Sequence, residues 1–240
     1  MASTKVQIWD LPLRIFHWLL VLTVLAAYIT GELGGSLSDW HGRFGGLALG
    51  LLIFRLIWGF IGGTHARFNN FFPTPSRVIS YLRGQWNEFG HNPLGALSVF
   101  ALLATLAALI GTGLFANDDI AFNGPLFNLV EKSQSDWLTG LHELAFNVLL
   151  ILVILHIAAI AFYFFFKKKN LINPMITGKQ DISNESKQKL TQKATRAGAS
   201  KFIFGAAISS FIVWFVFSGH ITKLIVPSQD SAAQTSTPNW

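Results

Sequence analysis

Five long apolar runs dominate this chain and decide what it can fold into. They lie near 13–30, 41–61, 93–115, 138–166 and 201–218. A hydrocarbon layer of about 30 Å takes roughly 20 helical residues to cross. Backbone polar groups inside that layer must be satisfied within the segment, so each run is expected to be a membrane-spanning helix. Composition agrees: 51% of the 240 residues are hydrophobic and 12% charged, against about 25% charged in an ordinary soluble domain. The first run follows MASTKVQIWDLPLR with no small-residue cleavage site, so it reads as a retained helix. The organisation expected is a core over 1–180, a polar linker over 181–200, an additional spanning helix at 201–218 and a flexible tail over 219–240.

The chain has no cysteine. Disulfides, thiolate metal sites, iron–sulfur clusters and covalent c-type haem attachment are therefore excluded. Its net charge is +6. That balance does not point to nucleic acid, because the basic residues are segregated as the positive-inside rule expects. Lys5 and Arg14 lie at the N-terminus, and Arg67, Arg77 and Arg83 in the second connection. Lys167, Lys168, Lys169, Lys179, Lys187, Lys189, Lys193, Arg196 and Lys201 lie in the fourth. The opposite side holds only Arg43, Lys132 and Lys223, and its third connection is acidic, with Asp118, Asp119, Glu131 and Asp136. The N-terminus is expected to face the cytoplasm and, after five crossings, the C-terminus to face outward. The segment following the lysine run is expected to lie near anionic lipid headgroups.

This topology assigns depths to the histidines. His17 falls near the cytoplasmic end of the first run and His41 at the outer end of the second. His142 and His156 share the fourth. Their fourteen residues span roughly 21 Å at about 1.5 Å each, and two heptads drift only about 40° around the helix. They therefore share a face at opposite depths. Four histidines make two pairs, His17 with His156 and His41 with His142. Ionisable residues inside a membrane are costly and point to function. Zinc or copper usually takes a third protein ligand, whereas a macrocycle supplying four equatorial nitrogens needs only two axial imidazoles. Two non-covalent b haems, one at each level, fit this inventory best.

Neighbouring residues suit that reading. Arg55 lies fourteen residues beyond His41, at the depth of the lower pair, and is a candidate partner for a haem propionate. The alternative is that it snorkels to the headgroups. Arg14 is a second candidate at the lower level and Arg43 one at the upper. Phe16, Trp18, Trp40 and Phe146 adjoin the histidines and are available to pack on porphyrin, or are ordinary membrane aromatics. Gly42, Gly46 and Gly50 form a stripe that lets something flat, or another helix, approach closely. In GHNPLGALSVF, Asn92 and Pro93 read as an N-cap and first helical residue. His91 beside them reads first as an interfacial helix-start residue, with a quinone or propionate contact as the alternative. His65 and His220 fall in connections and receive no role.

The pattern resembles the bacterial cytochrome b561 group and the b-type cytochrome subunit of nickel–iron hydrogenases. The resemblance is carried by DLPLRIFHW, WHGRFGG, FRLIWGFIGGTHARF, GHNPLGALSVF, GTGLFANDDI, the two histidines of the fourth run and NLINPMITGK, over roughly 5–180. It implies a four-helix core holding two haems, with His17 paired to His156 and His41 to His142, the pairing that depth suggests. It also implies electron passage between a quinone pool and an enzyme or cytochrome partner. The fifth helix and polar tail depart from the shorter family members.

The expectation is thus an all-α integral membrane four-helix bundle binding two b haems, with a fifth C-terminal transmembrane helix. It would sit in membrane lipid, in a bacterial inner membrane, moving electrons between quinone and an outer-face partner such as a periplasmic c-type cytochrome. The acidic third connection offers that partner a docking surface. The nearest alternative is the anchor and electron outlet of a nickel–iron hydrogenase or similar oxidoreductase. Rivals of other classes are a proton transporter working through a histidine relay and a plain membrane scaffold. A homo-oligomer is compatible with all of these.

Overall fold

A cap written into the sequence starts the first spanning helix, α1 (Leu11–Leu33). Asp10 is extended, its Oδ1 accepts the Leu13 N–H at 3.0 Å, and Pro12 sits in the first turn, where a missing N–H costs nothing. In the computed structural model, which describes residues 3–86, 90–120, 122–183 and 197–225, ten further elements accompany it. Strand β1 (Ser3–Gln7) precedes α1. Helix α2 (Ser38–Ile61) follows, then the short α3 (Phe68–Phe71) and α4 (Pro75–Leu82). Helix α5 (Pro93–Gly113) begins with the expected cap: Asn92 Oδ1 accepts the Gly95 N–H at 2.7 Å. Helix α6 (Lys132–Phe165), α7 (Ile172–Thr177), strand β2 (Lys179–Ser183), α8 (Ala199–Phe217) and α9 (His220–Ile225) complete the described chain. Helix α9 occupies the first part of the expected tail. Residues 226–240 of that tail and 184–196 of the expected linker lie outside the described residues.

Five helices, α1, α2, α5, α6 and α8, are long and apolar enough to cross a membrane. The fourth spanning helix begins at Lys132, earlier than the apolar run suggests. Glu131 and Gln134 form a reciprocal capping box that starts it in polar sequence. Its 34 residues reach about 51 Å, so its first turns stand clear of the apolar layer.

The bundle is two helix pairs, α1 on α2 and α5 on α6, which meet through α2 and α5. Ala48 and Leu52 of α2, Leu106 and Ile110 of α5 and Leu149 of α6 form its centre. A second cluster closes the lower end, where Ile8, Trp9, Leu13 and Phe16 pack on Leu51, Phe54 and Trp58. The outward faces are apolar and exposed, including Leu144, Ile151, Ile154 and Leu155 of α6. That is the surface of a bundle solvated by lipid.

The glycine stripe of α2 receives a helix. A Cβ at Gly46 would lie 3.0 Å from the Phe217 ring, and one at Gly50 3.2 Å from a Val213 methyl, both on α8. Phe202 of α8 adds edge contacts to Phe54 and Trp58 at ring separations of 5.7 and 6.4 Å. A Cβ at Gly42, one turn above, would lie 2.9 Å from the Phe122 ring of the loop before α6.

The expectation of helix alone omitted one feature. Strands β1 and β2 pair antiparallel, from Ser3 with Ser183 to Gln7 with Lys179. Next to them the Ile8 and Trp9 N–H groups donate to Gly178 O at 2.8 and 3.2 Å. Gly178 ends α7 at φ 80°, and a Cβ there would meet Trp9 O at 2.7 Å, so glycine is required on both counts.

Candidate functional site

The level expected to face outward, called outer below, is built by α2 and α6. The His41 and His142 rings face each other with centroids 6.0 Å apart and planes at 83°. His41 Nδ1 lies 2.8 Å from Ala27 O on α1, and His142 Nδ1 lies 2.8 Å from Leu109 O on α5. A carbonyl can only accept, so each Nδ1 carries a proton, and in a neutral ring that leaves the lone pair on Nε2. Metal-bound histidines are oriented by such a contact. Two nitrogens each about 2 Å from one metal, with about 1 Å more to each ring centre, place the centroids about 6 Å apart. The centroid separation of the outer pair therefore matches that of two imidazoles on one iron. Among the described residues no group of three or more His, Cys, Asp or Glu is placed to hold a metal ion. The donor set matches a centre whose remaining ligands come from a macrocycle.

Around this level Phe122 stands edge-on to His41 at 6.5 Å. Phe146, one turn below His142, stacks on Tyr28 at 5.3 Å. Arg43 lies over the Trp40 ring at 4.7 Å, and Trp40 itself leans on Phe44. The acidic loop is partly neutralised, because Lys132 pairs with Asp119 at 2.5 Å and with Asp136.

The level expected nearer the cytoplasm, called inner below, is built by α1 and α6. His17 lies within electrostatic reach of His156, and its Nδ1 is buried with no hydrogen-bond partner. An unpaired buried imidazole nitrogen is costly, so the position suits a bound group that engages the ring. Trp18 stands edge-on to His17 at 5.0 Å and donates from Nε1 to Met175 O at 3.2 Å. Phe16 is buried in the lower cluster. Arg14 donates to Ile176 O, while its Nε is buried and unpaired, leaving a donor for an anionic group.

Arg55 does not reach the headgroups: it is only 2% exposed. It donates to Ala66 O at 3.2 Å and lies over the Phe68 ring at 4.4 Å. Its charge faces Asp10, whose carboxylate also accepts from Trp58 Nε1 at 3.1 Å and from the Gly63 N–H at 3.3 Å.

Sequence reasoning gave His65 no role and left His91 at the interface. The chain brings both to this corner. His91 lies between Trp9 and Phe71, each 4.5 Å away between ring centres. Burial pushes its pKa down to about 3, helped by Arg55, His65 and His156 nearby. His65 is also lowered by burial, against the opposing pull of Asp10. Both are neutral at pH 7, and His91 Nδ1 and His65 Nε2 are buried without partners. His65 lies in a run already notable for its glycines, GFIGGTHARF. Only the turn back onto α1 shows where its side chain goes.

Comparison with known proteins bears on this arrangement. The family model of prokaryotic cytochrome b561 matches residues 8–178, which contain His17, His41, His142 and His156. A probable Ni/Fe-hydrogenase B-type cytochrome subunit of Azotobacter chroococcum mcd 1 is 26% identical over 219 residues, covering 73% of this chain and 88% of that protein. The subunit of the same description from Rhizobium leguminosarum bv. viciae is 25% identical over 73% of this chain and 89% of its own length. That of Rhodobacter capsulatus is 23% identical, over 76% and 84%. No solved structure matches significantly. With the apolar bundle and its facing imidazoles, the match over more than half of the sequence gives the assignment: the chain belongs to the prokaryotic cytochrome b561 family, multi-pass membrane proteins that carry electrons on haem b.

Proposed function

We propose that this cytochrome holds two b haems, one between His41 and His142 and one between His17 and His156, and passes electrons between quinone at its cytoplasmic side and a redox protein at its outer face. The observation that carries the reading is the outer pair, two Nδ1-anchored imidazoles with centroids 6.0 Å apart. Haem b supplies a reversible one-electron couple. The chain's part is to hold that couple at two depths and keep water from it. The Nδ1 contacts of His41 and His142 fix which nitrogen faces the iron. Arg14 and Arg55 place positive charge at the inner level, Arg43 at the outer, where propionates would take it up. Neutral His65 and His91 lie on the cytoplasmic side of the inner level, where quinone reduction requires protons.

The proposed setting is a bacterial inner membrane with the N-terminus cytoplasmic and the C-terminus periplasmic. The charge segregation of the connections supports this. The outer-face partner is proposed to be a c-type cytochrome or an oxidoreductase subunit. A hydrogenase is the specific version favoured by the relatives' descriptions. Affinity purification in mild detergent from cells grown with and without hydrogen separates the two partners.

The reduced-minus-oxidised spectrum of the purified chain tests the reading. Two low-spin b-type haems per chain are expected. His142→Ala removes the outer one and His156→Ala the inner one. A colourless protein would instead suit a histidine proton relay, and full occupancy in either variant would overturn the ligand assignment.

A further inference from the structure

Each outer imidazole rests on a helical carbonyl and on the glycine one turn further along. His41 donates to Ala27 O, and a Cβ at Gly31 would lie 2.8 Å from His41 Nδ1 and 3.1 Å from its Cε1. His142 donates to Leu109 O, and a Cβ at Gly113 would lie 2.8 Å from His142 Cε1 and 2.9 Å from its Nδ1. The geometry recurs on two different helices, with the glycine four positions after the acceptor in both. In an α-helix the carbonyl of residue i already accepts from the N–H of i+4. Side chains tilt back toward the helix N-terminus, so the side chain at i+4 lies over that carbonyl. Both oxygens also accept from a threonine hydroxyl, Thr30 at 3.1 Å and Thr112 at 3.0 Å, and a further donor from a neighbouring helix has room only where the i+4 side chain is missing. Other helical glycines are not of this kind: Gly111 and Gly140 have open space where a Cβ would be.

We propose that Gly31 and Gly113 are positioning residues for the outer haem, each opening a main-chain carbonyl to an axial imidazole. This rests on His41 and His142 being that haem's ligands. The two carbonyls hold the Nδ1–H tautomer and set the ring planes nearly perpendicular, at 83°. A carbonyl on Nδ1–H also makes the imidazole a stronger donor to the metal. That favours the ferric state and lowers the reduction potential of this haem relative to one whose imidazoles lack the contact. An alanine at either position displaces the ring from its carbonyl, because the closest atoms belong to the imidazole itself.

The experiment compares Gly31→Ala and Gly113→Ala with Gly111→Ala and Gly140→Ala in the full-length haem-loaded protein. Low-temperature EPR of the oxidised form and spectroelectrochemical titration of each haem are the readouts. In the wild type one haem is expected to give the highly anisotropic low-spin signal of near-perpendicular imidazoles. Both Gly31→Ala and Gly113→Ala shift that signal and raise the outer haem's midpoint potential, or release that haem alone, while the inner haem stays unchanged. The Gly111 and Gly140 variants keep both haems as in the wild type. A wild type in which both haems give the rhombic signal of near-parallel rings overturns the proposal without any variant. So does a wild-type signal and potential in both Gly31→Ala and Gly113→Ala. His142→Ala in parallel separates the two failures. If it removes the outer haem while the glycine variants change nothing, only the positioning role falls. If it removes no haem, the ligand reading itself falls.

Discussion

The Asp10 carboxylate and the Trp58 indole, 48 positions apart, meet at the foot of the bundle, with Nε1 donating to Oδ2 at 3.1 Å and to Oδ1 at 3.3 Å. The same carboxylate caps α1 through Leu13 and takes the Gly63 N–H. One short side chain thus joins the start of α1 to the end of α2. Asp10→Ala removes the cap and strands the N–H of Trp58, a residue 1% exposed. The expected loss is about 2–3 kcal/mol, with a smaller loss for Asp10→Asn, which keeps an acceptor oxygen. Thermal unfolding in detergent checks it, and equal melting of wild type and Asp10→Ala would refute it.

Gly46→Leu separates the two possible uses of the glycine stripe. Its side chain would drive into the Phe217 ring, 3.0 Å from the Cβ position. Overpacking of this kind costs about 1–3 kcal/mol. The melting temperature is expected to fall while the visible spectrum keeps its full haem absorbance. A selective loss of one haem would mean that the stripe serves porphyrin rather than α8.

Acid should weaken the fold through His91. The folded value is about 3, against an ordinary histidine value of about 6.5. Below pH 6.5 the unfolded chain binds a proton that the folded chain refuses. The stabilising contribution is therefore complete above pH 6.5 and is lost as pH falls toward 3, at up to about 1.4 kcal/mol per pH unit. His65 is lowered in the same direction and adds to the effect. Melting temperatures at pH 7.5, 6 and 5 should decline in the wild type. His91→Gln should flatten the decline, and an unchanged slope in that variant would place the acid sensitivity elsewhere.

Tyr163 links three elements at one end of the bundle. Asn92 Nδ2 donates to its hydroxyl at 2.8 Å, and Tyr81 of α4 bonds the same oxygen. Tyr163→Phe leaves the Asn92 amide unpaired, at a cost of about 1–2 kcal/mol. Limited proteolysis near residues 81–90 should quicken in that variant, and no change in cleavage rate would show that α4 is held by its other contacts.

The approach of His41 to His142 was legible because depth along a spanning helix is a one-dimensional coordinate. The fourteen-residue spacing in α6, the positions of His17 and His41 in their runs and the charge segregation need only arithmetic along the chain. What could not be read is lateral. No pattern around His41 names the Ala27 carbonyl, because a main-chain acceptor has no sequence signature. The glycine stripe announced a close approach without saying what approached, and α8 proved to be the neighbour. Asp10 drew no role of its own and is both the cap of α1 and the partner of Trp58. His65 was hidden by a turn too short to show periodicity. Helix α6 starts early because capping chemistry, not hydropathy, sets its first turn.

The strand pair between Ser3–Gln7 and Lys179–Ser183 has a consequence for biogenesis. The strand at 3–7 has no partner until the segment beyond the fourth crossing has been synthesised. Arg14 and Trp18, which flank His17, reach Ile176 and Met175 under the same constraint. The end of the bundle around His17 is therefore clasped only after α1, α2, α5 and α6 have all been made.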